Sequence, residues 1–303
     1  MNSKHKDALT ARDVRFCDKL IKTDELILCI DCGSSFVKTL LLDADGILTQ
    51  KYEFDQFPYD YINSMAEKNK CIILLTGARA GHLDLFRLPA DVIQYSEIDC
   101  IASIPKSIRL EETVVVCIGT GTPFIVYKNG VGVHFGGTGI GGGTFLGLSY
   151  RLLKREDPKE VEQLARNGDL SKINLTIADV YQQDVSYLKS DLTAANFAKR
   201  TEASESDIAL GIHSMISETI GMMAAQIARS NGIDNVLFCG AVCENALICD
   251  SLEKCMGLFN IKSIFIDNPG FGTCFGAFSY YFEQKKQPHI GGHQTSATAT
   301  IRA

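Results

Sequence analysis

The sequence predicts an α/β protein of two related lobes with a ligand cleft between them. The first observation is a set of three strands, separated by a polar glycine turn and a hairpin, that occurs twice in the 303 residues. The second is the helical pattern that follows each set. The third is a stretch with seven glycines, residues 136–147, directly before one of these helices. Together they indicate two strand layers covered by helices, with a glycine loop near their junction.

The first lobe is expected to cover residues 26–110, after an N-terminal extension over residues 1–25. Leu26–Ile30 is a continuous apolar run, which is typical of a buried strand. The polar turn Asp31–Ser35 follows it and leads into a second strand over Phe36–Leu42. The remaining predicted elements of this lobe are a third strand from Ile47, a helix over Tyr59–Asn69 and a buried strand over Cys71–Thr76.

The second lobe is expected to cover residues 111–286 and to open with a copy of the first strand set. Val114–Ile118 is a buried strand, and Gly119–Thr122 is a polar glycine turn. Two further strands joined by an Asn-Gly hairpin come next. Aligning Cys29 with Cys117 yields a weak internal repeat. Chance similarity between two β-hairpins is the alternative.

Capping residues predict the helices beyond the glycine-rich stretch. Asp157 and Pro158 start one helix, and Ser204 with Asp207 starts a longer one with apolar residues at helical spacing. Further strands are predicted near 236–239 and 264–266, and further helices over 246–256 and 276–283. The tail over residues 287–303 is expected to be disordered.

Composition excludes several classes of partner and site. The net charge of −6, without any Lys/Arg-rich run, argues against nucleic acid. No run approaches the ~18 apolar residues of a membrane span, and the N-terminus lacks the apolar core of a secretory signal. The 11 cysteines include no C-x-x-C pair. Buried free thiols in a reducing cytoplasm are therefore expected, rather than a zinc or iron–sulfur site.

The glycine-rich stretch predicts a phosphate-binding loop. Glycine allows positive φ and close approach of the backbone to a ligand. The helix that follows from Thr144 presents unpaired N–H groups and a partial positive charge. The spacing matches neither the P-loop nor the dinucleotide fingerprint. A tight turn used only for packing is the alternative.

A carboxylate, a glycine turn and a lysine come together after the first strand. Asp31 ends the strand and can hold Mg²⁺. The turn N–H groups and the hydroxyls of Ser34 and Ser35 can bind phosphate, and Lys38 adds a positive charge. Thr120–Thr122 repeats such a turn in the second lobe. Three phosphate-binding turns in one chain favour ATP as a ligand.

Glu97 and Asp99 lie in the segment that joins the two strand sets. A carboxylate at a junction between lobes can take the proton from an attacking hydroxyl, and a solvated acidic pair is the alternative. Arg79 either faces the same cleft or lies on the surface. His134 precedes the glycine loop, where a structural role and a role beside the loop both stay open.

Five motifs occur in order between residues 31 and 197, and the resemblance that they carry covers roughly residues 26–282. They are Asp31–Lys38, Ile118–Thr122, Gly136–Gly147, Gly168-Asp169 and Ser190–Phe197. In this order they resemble the type II pantothenate kinases, of the actin, heat-shock ATPase and sugar kinase superfamily. The glycine loop and the last motif are the specific ones. The resemblance implies a two-lobed, duplicated ribonuclease H-like (actin-like ATPase) fold with an ATP cleft between the lobes.

The resemblance implies an enzyme that uses ATP and Mg²⁺ to phosphorylate the primary hydroxyl of pantothenate, the first step of coenzyme A biosynthesis. Glu97 matches the catalytic base of the family, and Asp31 is the predicted metal ligand. The substrate side is assigned to His134, Thr122 and Asp99. The residues predicted to bind the nucleotide are Asp31, Gly33, Ser34, Ser35, Phe36, Val37, Lys38, Thr39, Leu40, Thr120, Gly121, Gly142, Gly143, Thr144, Phe145, Leu146 and Ala241.

Departures from the family pattern lie on the acceptor side. His134 replaces an arginine that contacts the acid substrate, and Pro123 replaces a serine. One alternative is therefore a kinase of the same fold that acts on pantetheine or another small alcohol. Others are a non-catalytic sensor of ATP or acyl-CoA and an ATPase activator of a redox enzyme, although the bridging cysteines of an activator are not found. The resemblance further implies a cytoplasmic homodimer, joined through the long helix and restrained by coenzyme A or acyl-CoA.

Overall fold

The computed structural model describes residues 26–43, 48–69, 71–88, 92–181 and 189–286. The predicted extension over 1–25 and the predicted disordered tail over 287–303 lie outside these residues. The described strands are β1 (Ile27–Cys32), β2 (Val37–Leu42), β3 (Leu48–Phe54), β4 (Ile72–Thr76), β5 (Val92–Gln94), β6 (Glu112–Cys117), β7 (Thr122–Lys128), β8 (Val131–Thr138), β9 (Leu175–Thr176), β10 (Thr193–Ala195), β11 (Asn235–Cys239) and β12 (Lys262–Phe265). The described helices are α1 (Tyr59–Asn69), α2 (Glu97–Ser107), α3 (Gly142–Leu153), α4 (Pro158–Ala165), α5 (Ile177–Tyr181), α6 (Glu205–Ser230), α7 (Ala246–Gly257) and α8 (Gly272–Lys286).

Two five-stranded sheets with the same strand order form the framework. The first has the order β3-β2-β1-β4-β5, and the second has the order β8-β7-β6-β11-β12. In each sheet the first three strands pair antiparallel, and the other two run parallel to the central strand. The predicted two-lobed α/β fold with a duplicated strand set is confirmed.

Two glycines occupy corresponding positions in the two sheets. Gly77 directly follows β4 with a φ of 99°, and Gly240 directly follows β11 with a φ of 94°. Both values lie in the region that favours glycine over residues with a Cβ. A Cβ at either position would also lie 2.5 Å or less from the central strand, against Asp31 in the first sheet and Ile118 in the second. The strands β4 and β11 therefore end in the same tight turn, packed against the central strand of their sheet.

Backbone hydrogen bonds two residues beyond these glycines give the register of the duplication. The N–H of Arg79 donates to the carbonyl of Cys32, and the N–H of Val242 donates to the carbonyl of Ile118. Cys32 and Ile118 therefore hold corresponding positions at the ends of β1 and β6.

It follows that Asp31 corresponds to Cys117. The predicted alignment of Cys29 with Cys117 is thus wrong by two residues, although the repeat itself exists. In a strand buried on both faces, successive apolar residues look alike, so the sequence does not fix the register.

Helix α2 lies between the two sheets. On one face of α2, Cys100 belongs to the core that also contains residues of α8 and β1. Ile101 and Ile104 belong to a different core, which contains residues of β6 and β11 of the second sheet. Helix α8 approaches so closely that a Cβ at Gly276 would lie 1.9 Å from the carbonyl oxygen of Cys100. This packing places Glu97, the first residue of α2, at the junction of the lobes.

The chain returns to the first lobe at the end of its described part. Helix α8 packs on β1 and β4 of the first sheet, with Phe275 and Phe278 in the shared core. The predicted lobe limits, 26–110 and 111–286, stay a prediction.

Helix α6 runs through the largest core. It begins with a capping box in which Ser204 and Asp207 exchange hydrogen bonds, and Ile212, Ile216 and Ile220 are fully buried. Among the described residues, α6 is the one helix long and apolar enough to cross a membrane by length and composition. However, 61% of its apolar window is buried inside the protein, as in the core helix of a globular fold.

We expect Gly276→Ala to destabilise the protein by about 1–3 kcal/mol, because the added methyl group overlaps the Cys100 carbonyl and separates α8 from α2. The matched control is Gly257→Ala, where an added Cβ meets open space and alanine favours the helix. The free energies of unfolding come from urea titrations. Equal values for the two variants would show that the α2–α8 contact is loose.

Candidate active site

A cavity of about 880 Å³ lies between the two sheets. Its walls come from the ends of β1, β4, β6 and β11 and from the first turns of α2 and α3, so strand ends of both lobes meet there. Glu97 and Thr122 line it. It is also lined by most of the residues predicted to bind the nucleotide, namely Asp31, Gly33, Ser34, Ser35, Phe36, Lys38, Thr120, Gly121, Gly142, Gly143, Phe145, Leu146 and Ala241.

The other predicted site residues lie outside the cavity lining. Val37, Thr39 and Leu40 are buried within β2. Thr144 donates its hydroxyl hydrogen to the carbonyl of Gly139, at 2.9 Å. Asp99 lies in the first turn of α2, and His134 is exposed on β8, the edge strand of the second sheet. Their predicted roles stay predictions.

Asp31 is a buried carboxylate at the end of β1. It is 6% exposed, and its Oδ1 atom has no hydrogen-bond partner. Burial raises its pKa to about 7, and the negative charge of Glu97 acts in the same direction. The positive charge of Lys38, its pairing partner on β2, lowers the pKa in part. A buried carboxylate with an unpaired oxygen is a ready acceptor for a cation.

Glu97 and Asp99 share the first turn of α2. The partial positive charge at a helix N-terminus favours ionised carboxylates, but burial acts in the opposite direction and raises the pKa of both. Glu97 is half-buried and lines the cavity, whereas Asp99 does not. Of the two, Glu97 is therefore the carboxylate that can reach a ligand.

Arg79 supports the first glycine turn from outside the cavity lining. Its Nε donates to the carbonyl of Gly33 at 2.5 Å, and its backbone N–H donates to the carbonyl of Cys32 at 3.0 Å. This fixes the turn that carries Ser34 and Ser35, whose exposed side chains line the cavity. Arg79 therefore does not line the cavity, and its described contacts hold the turn from behind.

The glycine-rich loop packs directly on the second glycine turn. The N–H of Gly142 donates to the carbonyl of Gly119 at 2.7 Å, and the N–H of Gly143 donates to the carbonyl of Thr120 at 3.0 Å. A Cβ at Gly141 would lie 2.8 Å from the carbonyl oxygen of Thr120. Packing therefore explains part of the glycine content, and these two N–H groups are already used within the protein.

The far end of the cavity has apolar walls with charged side chains beside them. Phe145 of α3, Val242 and Ile248 line it, together with Pro158 at the start of α4 and Asn245 at the start of α7, and the neighbouring lining residues Lys159, Glu162 and Glu244 carry charge. Flat apolar walls with a few polar groups suit an aromatic base. Asn245, Ile248 and Pro158 were not among the residues predicted for the site. Asn245 and Pro158 are recognisable in the sequence as helix-start residues, but nothing local relates them to a ligand.

Comparison with known proteins identifies the family. A family model described as Fumble matches residues 82–280. A type II pantothenate kinase of Bacillus cereus is 27% identical over 275 residues, which cover 86% of this chain and 99% of that protein. A type II pantothenate kinase of Staphylococcus epidermidis is 32% identical over 268 residues, covering 82% and 97%. The chain belongs to the type II pantothenate kinase family. The predicted family and class of enzyme are confirmed.

A solved structure shares the fold of this family member. The activator of the 2-hydroxyisocaproyl-CoA dehydratase from Clostridium difficile, with bound ADPNP, has a TM-score of 0.61 and covers 90% of this chain and 100% of its own. Its sequence identity is 20%, so the likeness extends to the fold alone.

In the described part of this chain, no group of three or more His, Cys, Asp or Glu residues could hold a metal ion.

The ten described cysteines of this pantothenate kinase family member are free thiols, and all but Cys249 are buried. Burial raises the pKa of several of them, for example that of Cys100 to about 12. Thiols in this state are protonated and unreactive. They therefore act as small apolar core residues, as predicted.

The pH dependence of stability should reveal the buried carboxyl of Asp31. Its pKa in the folded protein, about 7, exceeds the ordinary value of 3.8, so the folded state binds this proton more tightly than the unfolded state. Its stabilisation is complete below about pH 4 and is lost as the pH rises through 7. Asp31→Asn should therefore gain stability relative to wild type as the pH rises, by about 3 kcal/mol between pH 5 and pH 8.

This comparison uses urea unfolding at pH 5 and pH 8, with exposed Asp55→Asn as the control site. Parallel pH profiles for wild type and Asp31→Asn would mean that the Asp31 carboxyl titrates normally.

Proposed function

We propose that this chain transfers the γ-phosphoryl group of ATP to the primary hydroxyl of pantothenate, which yields 4′-phosphopantothenate for coenzyme A biosynthesis. The observation that carries this proposal is the cavity between the lobes, which is lined by Asp31, Glu97 and glycine turns from both sheets. Phosphoryl transfer needs positioning and charge stabilisation more than covalent chemistry. A cleft with carboxylates, a lysine and backbone turns supplies both.

ATP would lie with its phosphates between the two glycine turns and its base at the apolar end. The hydroxyls of Ser34 and Ser35 and the ammonium group of Lys38 are the polar groups nearest to the first turn. Phe145 and Ile248 flank the opposite end. The N–H groups of Gly142 and Gly143 donate to protein carbonyls, so the loop contributes mainly its shape and the positive end of α3.

Asp31 fits the role of the Mg²⁺ ligand. Asp31 lines the cavity and has a buried Oδ1 without a hydrogen-bond partner, and Mg²⁺ is typically held by one or two carboxylates together with phosphates and waters. A bound Mg²⁺ ion would neutralise phosphate charge. The raised pKa of Asp31 means that cation binding must compete with a proton near neutral pH.

Glu97 is the proposed general base. It would take the proton from the acceptor hydroxyl as that oxygen attacks the γ-phosphorus. Its pKa is raised by burial, which brings a carboxylate closer to the basicity that proton transfer at neutral pH requires. Its position at the start of α2 is rigid because α2 is packed between both sheets.

The acceptor would bind beside Glu97, against Ile98, Ile101, Thr122 and Pro123. Thr122 donates its hydroxyl hydrogen to the carbonyl of Ile140 at 2.8 Å, so it remains an acceptor for a substrate hydroxyl. His134 would contact the acid group of the acceptor, and Asp99 another part of the same molecule. Since neither residue lines the cavity, these contacts require the substrate to reach the rim.

The cytoplasmic location, the homodimer and inhibition by coenzyme A or acyl-CoA also belong to the proposal. They rest on the family resemblance. For the dimer, α6 offers a limited outer face on which Met222 is 41% exposed.

The test of the function is release of ADP with a panel of acceptors, namely pantothenate, pantetheine and hexoses. We expect turnover with pantothenate at a kcat/KM at least tenfold above that of the other acceptors. A preference for pantetheine would support the related kinase instead. ADP binding without turnover on any acceptor would support a non-catalytic sensor.

Glu97→Gln should lower kcat by about 10²–10⁴-fold, the range of general-base catalysis, with little change in ADP affinity. The matched control is Asp60→Asn, which changes an exposed carboxylate in the first turn of α1, outside the cavity, and should retain the activity. Calorimetry with ADP separates loss of binding from loss of chemistry. Wild-type kcat in Glu97→Gln would eliminate this residue as the base.

A further inference from the structure

A buried histidine lies behind the apolar end of the cavity. His213 of α6 is 1% exposed and does not line the cavity itself. Its ring nevertheless contacts two residues that do. The ring of Phe145 meets it edge-on, with 4.9 Å between centroids and an interplanar angle of 82°. Its Nε2 atom lies 3.0 Å from the Nδ2 atom of Asn245.

The hydrogen bonds of His213 determine which nitrogen carries the proton. Nδ1 lies 2.7 Å from the carbonyl oxygen of Ala209. Since a carbonyl only accepts, Nδ1 must be the protonated nitrogen. In the neutral ring Nε2 is then an acceptor, and the amide group of Asn245 donates to it.

Asn245 uses both ends of its amide group inside the protein. Its Nδ2 donates to His213, and its Oδ1 accepts the backbone N–H of Ile248 at 3.1 Å, which caps the start of α7. The side chain is therefore held in one orientation, with no freedom to exchange its oxygen and nitrogen. Asn245 and Ile248 both form the cavity wall at this end.

We propose that His213, in its neutral Nδ1–H form, is the positioning residue of the nucleotide-base pocket, holding Phe145 on one side and the Asn245 cap of α7 on the other. This inference rests on the proposed binding of ATP. It assigns His213 no contact with the nucleotide. His213 acts through the two walls that the base would touch.

Protonation of His213 should disrupt this arrangement. An Nε2–H group would face the amide hydrogens of Asn245, and rotation of that amide would turn its nitrogen toward the N–H of Ile248 and remove the helix cap. Burial lowers the pKa of His213 and so maintains the neutral form. The contribution of His213 to nucleotide affinity should therefore be constant above the ordinary histidine value of 6.5 and fall as the pH drops through the lowered pKa of His213.

The charged groups that act on the ring come from α4. Glu162 raises the pKa of His213 and Arg166 lowers it, and the two form an ion pair at 2.6 Å. From α3 and α7 the contacting residues are Phe145 and Asn245, neither of which titrates. On α6 itself the ring contacts the Ala209 carbonyl. The pH dependence is therefore expected to follow the ring rather than a neighbouring acid.

The test is ADP binding by calorimetry at pH 7.5 and pH 5, with no acceptor present, for wild type, His213→Gln and His213→Phe. Glutamine can accept from Asn245 through its Oε1 atom and does not titrate. It should bind ADP nearly as well as wild type at pH 7.5 and more tightly than wild type at pH 5. Phenylalanine leaves the Asn245 amide unpaired and should bind about tenfold more weakly at both pH values. Protonation of ADP, Asp31 and Glu97 is common to all three proteins and cancels in the comparison.

NMR of the His213 ring supplies a measurement that a purely structural role would not change. The ring should show the Nδ1–H tautomer, and ADP should lower its pKa further, because a ligand that prefers the neutral form must favour that form in return. If ADP leaves the pKa of His213 unchanged and wild type and His213→Gln show the same pH dependence of affinity, the inference is wrong. This holds even if His213→Phe fails to fold.

The outcomes for the two proposals differ. If wild type binds ADP and phosphorylates pantothenate while the His213 variants behave like wild type, only the role of His213 fails. If wild type binds ADP with the predicted His213 effects but has no turnover, only the acceptor and chemistry of the proposed function fail. Absence of ADP binding by wild type overturns both.

Discussion

The close packing of α2 against α8 is the constraint on which the site depends. Gly276 brings the two backbones so near that no Cβ fits between them, and the opposite face of α2 packs on the second sheet. One helix thus contacts both lobes and carries Glu97 at its first residue. A general base on a rigid helix start keeps its position relative to strand ends of both sheets, as proton transfer over hydrogen-bond distance requires.

The two carboxylates of the cavity influence each other. Both have a raised pKa owing to burial, and the charge of Glu97 raises that of Asp31 further. Such an arrangement costs stability at neutral pH, since ionising a buried carboxyl opposes folding. Groups held in this state are typical of functional sites. The positive charge of Lys38 reduces this loss of stability in part. With a polyphosphate and a cation bound, the charges of Lys38 and the two carboxylates would be balanced by those of the ligands.

The sequence predicted most of the strands and the glycine turns, and most of the residues that it assigned to the site do line the cavity, because these features depend on local patterns: apolar runs, clusters of glycine and helix caps. It did not predict the register of the repeat, since buried apolar residues such as Cys29 and Cys117 are locally interchangeable. The sequence also did not show that the N–H groups of Gly142 and Gly143 donate to carbonyls of the protein, because those carbonyls belong to another turn. His213 and Asn245 are 32 residues apart in the chain, and their contact exists only after α6 and α7 pack together.

The correspondence between Asp31 and Cys117 has a consequence for ligand direction. A duplicated framework is nearly symmetric, and a linear ligand lying across such a cleft has two almost equivalent ways to enter. Both of these residues line the cavity, but one half carries an ionisable acid and the other a thiol. That difference breaks the symmetry at the same structural position in each half. The protein has two copies of the architecture but, at this position, only one copy of the carboxylate.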